Sequence, residues 1–168
     1  MALQFDYTSK VAATYTGTAI SGIGTPTFPV AATDTFTMTS GTSTGQADRM
    51  YAFSNTLSAS GTTDLDLVAT ATDNLGTALG FARLKYLRVV AASTNTNNVV
   101  VSRPASNGVT LFSAASDAIS VLPGGCFVWC APGAGITVTA STADLITFTN
   151  SSSGSTVTYS VIVVGTSA

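Results

Sequence analysis

Apolar and polar residues alternate in short runs along most of this chain. Phe5 and Tyr7 flank Asp6, and Phe36 and Met38 stand among Thr35, Thr37 and Thr39. In the stretch DLDLVAT, Leu65 and Leu67 alternate with Asp64 and Asp66. A period of two places successive side chains on opposite faces of an extended strand. The same reading predicts strands at residues 50–57, 84–92, 99–101, 111–112, 118–122, 126–131, 136–139, 145–149 and 157–164. Residues 84–92 are apolar enough to pass for helix. Their β-branched end at Val89 and Val90, and the turn-rich STNTNN that follows, favour a strand. Breakers separate the runs: residues 61–63, Pro123-Gly124-Gly125, Pro132-Gly133 and the Ser/Gly stretch 151–155. No segment of ten or more residues shows a 3.6-residue period. About ten short strands, spaced roughly 8–12 residues apart, predict an all-β, antiparallel β-sandwich or jelly roll.

Residues 1–46 read differently from the rest. Short apolar pieces are separated by Thr, Gly and Pro, and Gly22, Gly24, Pro26 and Pro29 are expected to break any long element there. The expected organisation is an N-terminal arm or additional edge strands over 1–46, followed by a β-sandwich domain over 47–168.

Composition sharpens this picture. Only 8% of the 168 residues are charged, against about 25% in an average chain. All eight acids are Asp, and there is no His. The chain carries 29 Thr and 20 Ser, and Thr suits a pleated, half-buried surface. A mean hydropathy of +0.41 excludes disorder of the whole chain. Six Lys and Arg, with a net charge of −2, leave no basic face for nucleic acid. A charge-poor, hydroxyl-covered surface suits a protein packed against neighbours. Residues 1–10 carry Asp6 and no apolar core, unlike a secretory signal, and no run of 18 apolar residues suggests a membrane span. Synthesis in a cytoplasm is therefore expected.

The residues for catalysis are sparse. Without His, no Ser-His-Asp or Cys-His arrangement exists, and no serine stands three residues before Lys10 or Lys85. Asp64 and Asp66 form the closest carboxylate pair, expected as a solvated stripe on one strand face. Asp73-Asn74-Leu75-Gly76 lacks the spacing of a full calcium loop and reads as an Asx-type turn. Residues 17–24 match no phosphate-binding fingerprint. Cys126 and Cys130 on one strand would be about 13 Å apart, too far for a disulfide, so both are expected free and buried. Trp129, beside Phe127, is expected in the core, with a sugar platform as the alternative. An enzyme is not expected, nor any cofactor or metal. Arg83 and Lys85 are expected on one strand face, opposite Arg88, where they could meet an acidic neighbouring subunit.

Residues 64–101 and 122–165 resemble small virion proteins of tailed phages. The motifs that carry the likeness are DLDL, D-x-x-G-x-x-x-x-F from Asp73 to Phe81, NTNNVVV, PGG and T-x-x-TADLI; FDYTSKVAATYTG at 5–17 is similar too. CFVWC at 126–130 departs from the aliphatic residues expected there. The resemblance implies a capsid decoration or cement protein, a homo-oligomer such as a trimer, bound to the major capsid protein on the virion surface. No functional residue transfers with it. Subunit-interface candidates are Phe5, Tyr7, Phe28 and Phe36, since aromatics often carry interface energy, together with Arg83 and Lys85. The alternatives are a tail, head–tail or fibre component, or a carbohydrate-binding jelly roll used in host adhesion.

Overall fold

Alternation of β-branched and polar residues carries through to the architecture, in which every regular element among the described residues is a strand. The computed structural model describes residues 2–19, 21–69, 72, 76, 78 and 80–168. β1 (Phe5–Thr16) and β2 (Thr27–Ser40) form one long antiparallel hairpin, with Phe5 opposite Met38 and Thr16 opposite Thr27. The short β3 (Gln46–Ala47) pairs with the end of β2 in parallel. The body follows: β4 (Arg49–Leu57), β5 (Thr62–Asp66), β6 (Arg83–Ala91), β7 (Val99–Ser102), β8 (Ala118–Val121), β9 (Cys126–Cys130), β10 (Ile136–Thr137), β11 (Leu145–Asn150) and β12 (Val157–Thr166).

These strands build two sheets, and every pairing within them is antiparallel. The first has β6 and β12 at its centre, β4 beside β12, and β9 and β10 along the other edge of β6. The second runs β5–β11–β7–β8. Their inner faces make one core, with Leu87, Val89, Val161 and Val163 from the first sheet against Val99, Val101, Ile146 and Phe148 from the second. Phe148 crosses the interface, its ring 5.0 Å from Tyr159 and 6.4 Å from Phe53. The molecule is thus an antiparallel β-sandwich, as the alternation predicts.

Period two also assigns the outer face of the first sheet. Successive rows there are Cys130–Tyr86–Val164–Met50, Val128–Arg88–Ile162–Ala52 and Cys126–Val90–Ser160–Ser54. A β-bulge interrupts β6 against β12, where Val164 faces Tyr86 but Gly165 faces Leu84. Lys85 is the extra residue, and a bulge re-aims the side chain it carries. Gly165 is required at this point, because a Cβ there would run into the carbonyl oxygen of Arg83.

Two expectations change. Leu111 and Phe112 form no strand; they lie in a turn-rich segment where Arg103 Nη1 donates to the carbonyls of Phe112 (3.2 Å) and Ser113 (3.1 Å). Their side chains still pack against the core. Pro29 does not break its element but sits inside β2 opposite Thr14. A two-stranded ribbon has no neighbour on its outer edge, so a missing backbone donor is tolerated there. The proposed turn at Asp73, Asn74 and Leu75 lies outside the described residues.

Candidate interaction arm

The hairpin β1–β2 divides into a covered base and an uncovered distal half. Paired residues of an antiparallel ribbon share a face. One face carries Phe5, Tyr7, Ser9, Val11, Ala13 and Tyr15, opposite Met38, Phe36, Asp34, Ala32, Val30 and Phe28. The other is mostly hydroxyl. Thr8 and Thr35 hydrogen-bond across it at 3.2 Å, and Thr37 donates to Asp6 at 2.5 Å. That hydroxyl, and then the Gln4 amide, hold the Asp6 carboxyl below the usual carboxylate range.

At the base the apolar face lies on the outer face of the first sheet. Phe5 and Tyr7 pack on Tyr86 with tilted rings, their centres 4.8 and 5.3 Å from its own. Met38, Ala47, Tyr86 and Val164 are buried together, with Ile162, Val128 and Cys130 against them. Beyond Ser9 and Asp34 the same face stands exposed among the described residues. Val11 is 56% exposed, Val30 45%, Phe28 66% and Tyr15 76%, and Ile23 in the tip is 80% exposed. The eight residues from Ser9 to Thr16 project roughly 25 Å. A lone two-stranded hairpin is marginal in water, and large apolar side chains exposed side by side mark an interaction surface.

Lys85 anchors the base. The bulge aims it under the 41–47 segment, where its ammonium donates to the carbonyls of Ser43 (2.7 Å) and Gln46 (2.8 Å). Gly45 N–H donates to Pro132 O (3.1 Å), and the Gln46 amide oxygen accepts from Ser43 N–H (3.0 Å). Burial, and next the nearby Arg83, push the Lys85 ammonium below the ordinary lysine value, while Asp48 opposes them.

The interface candidates therefore separate. Phe28 stands exposed on the distal arm, whereas Phe5 and Tyr7 pack on their own body. Phe36 is half-buried against Tyr7, ring centres 5.0 Å apart. Lys85 is corrected: at 1% exposure, with its ammonium committed to two carbonyls of its own chain, it is no surface group for an acidic neighbour. Arg83 is half-buried and donates to Ala134 O (3.4 Å) and Thr137 Oγ1 (3.3 Å). Period-two counting across 83–88 fails because the bulge intervenes. Tyr15, Val11 and Val30 were not singled out from the sequence, although alternation from Phe5 to Tyr15 carries the signal.

Other candidate sites resolve as structural. Asp64 accepts from the Thr147 hydroxyl at 2.6 Å, and Asp66 caps the N–H groups of Val68 (2.8 Å) and Ala69 (2.9 Å). Trp129 is half-buried and packs against the core, as expected. Both cysteines are free, and neither is fully buried as expected: Cys130 is half-buried against the arm base, and Cys126 is exposed on the same outward face away from it. Among the described residues no three His, Cys, Asp or Glu gather as metal ligands, and no helix is long and apolar enough to cross a membrane.

Alkali should loosen the arm base and core together. Burial raises the Cys130 thiol to about 11, and raises the hydroxyls of Tyr86 and Tyr159 above the ordinary value. A group whose folded pKa is raised contributes stability that is full below its unfolded value and is lost as pH rises through the folded one. Lys85, shifted down, works the other way below its ordinary value, but it is one group against three. Urea unfolding should give constant stability from pH 6 to 8 and a fall between about pH 9 and 11. A flat profile to pH 11 would contradict the burial of these groups.

No protein-family model, no curated protein and no solved structure matches this chain.

Proposed function

We propose that this chain is a structural protein of a phage virion, a decoration protein that reinforces the head shell by binding between capsomers. The observation that carries the reading is the arm: a projecting apolar ribbon on a hydroxyl-coated sandwich that has no evident use for it alone. The order β4–β12–β6–β9 over β5–β11–β7–β8 supports the reading, since we take it as the winding of a jelly roll, an arrangement common in shell proteins and lectins. The resemblance of residues 64–101 and 122–165 points the same way. The sugar-binding alternative loses its platform, because Trp129 packs inward.

The mechanism is area burial repeated over many copies. At about 25 cal/mol per Å² of apolar surface, a modest contact per subunit sums to a large resistance to internal pressure. Exposed Ser and Thr let the body sit among neighbours without charge repulsion.

Co-sedimentation with capsid shells stripped of this protein tests it. Saturable binding at a fixed ratio to the major capsid protein, with a raised shell melting temperature, is expected. Absence of binding would overturn the head reading in favour of a tail or fibre component.

A further inference from the structure

We propose that the distal arm of one copy docks on the outer face of the first sheet of a second copy, with Asp34 of the arm paired to Arg88 of the receiving copy. The proposal rests on reading the arm as a docking element, and adds the identity of its receptor.

Four observations converge. First, the outer face is half covered. The chain's own arm base occupies Tyr86, Val164, Ile162, Val128 and Cys130, leaving Arg88 at its border and, beyond it, the row of Cys126, Val90, Ser160 and Ser54. Second, shapes match. That area is built of small side chains, and a depression of about 230 Å³ lies in it between Ser54, Val90, Ala92, Thr158 and Ser160. A flat ribbon bearing Tyr15, Phe28, Val11 and Val30 supplies the bulk the area lacks. Third, the chemistry has a precedent within the chain, because the base of this same ribbon face already packs on this same sheet face.

Fourth, the charges are complementary. The arm's apolar face carries one charge, Asp34, and the three outer-face rows carry one, Arg88. Asp34 is exposed and Arg88 partly so, and neither forms an ion pair among the described residues. An ion pair closed by docking would fix register as well as attract. Giving an arm to one neighbour and receiving one from another is a heterologous contact, which closes into a ring where the rotation between copies returns on itself.

The test needs no shells. Wild-type protein should sediment as a closed oligomer at micromolar concentration. Asp34→Arg and Arg88→Glu should each weaken association about tenfold or more, and the two together should restore it, the signature of a direct charge pair. Cys126 supplies an independent readout, since docking covers it. In a Cys130→Ser background its reaction with DTNB should be slow in the oligomer and fast in either single variant. A wild-type monomer at about 100 μM, single variants that associate normally, or a Cys126 equally reactive in every form would each overturn the proposal. Shell co-sedimentation of the wild type separates the two readings: shell binding by a protein that stays monomeric in solution retains the decoration role and sinks only the arm exchange.

Discussion

Replacing Lys85 with Met is expected to destabilise the protein by about 2 kcal/mol and to free the base of the arm. Met keeps the length and much of the apolar stem, so packing changes little. What disappears is the ammonium that donates to Ser43 O and Gln46 O. An acceptor shielded from water and left without a donor costs about 1–3 kcal/mol; Ser43 O keeps the Gln46 N–H at 3.1 Å, so the loss falls mainly on Gln46 O. The substitution also removes a charge held out of water, which offsets part of that loss. The damage is local, because these carbonyls belong to the segment that ties β2 and β3 to the body. Limited proteolysis should cut near residues 41–46 before the sandwich opens, and urea unfolding should show the lowered midpoint. Unchanged stability and unchanged cleavage would mean that β3 pairing and the Phe5–Tyr86–Tyr7 ring contacts hold the base without the ammonium.

The same residue shows where sequence reading stops. Strands such as β4, β7, β11 and β12 were legible because their inward positions are apolar and their turns carry Gly, Pro or Ser. Lys85 was not, because a bulge is a property of two strands paired in space and leaves no mark in either alone. Pro29 misled in the opposite direction. Proline breaks a strand flanked on both sides, yet β2 has a partner on one side only at that point, and partner number is invisible in the sequence. Phe5, Tyr7, Phe28 and Phe36 look alike in the alternation. What separates Phe28 from Phe5 is how far along the ribbon the body's edge falls, a tertiary fact. Cys126 and Cys130 share a strand face for the same reason that Phe5 and Tyr15 do, and they too differ in burial only by their distance from the arm base.

Shortening the arm should abolish shell binding while leaving the sandwich intact. Residues 10–33 can be replaced by a short glycine-containing turn joining Ser9 to Asp34, which already face each other across the ribbon. The base contacts of Phe5, Tyr7, Phe36 and Met38 with the body are retained, as is the Lys85 anchor. The residues removed are almost all exposed, so the melting temperature should stay within a few degrees of wild type, as for surface changes generally. Binding is a different matter. Tyr15 and Phe28, the aromatics that seat on a second copy and so join the copies into an oligomer that grips the shell at several points, are each worth about 2 kcal/mol as anchors. Losing both weakens binding about 100-fold to 1,000-fold, since such effects are not strictly additive. Tyr15→Ala with Phe28→Ala in the full-length arm should reproduce most of that loss, which separates the contact itself from any effect of loop closure. Wild-type binding by the shortened protein would move the shell contact to the sheet edges at β4 and β8, and leave the apolar face of the ribbon to the contact between copies alone.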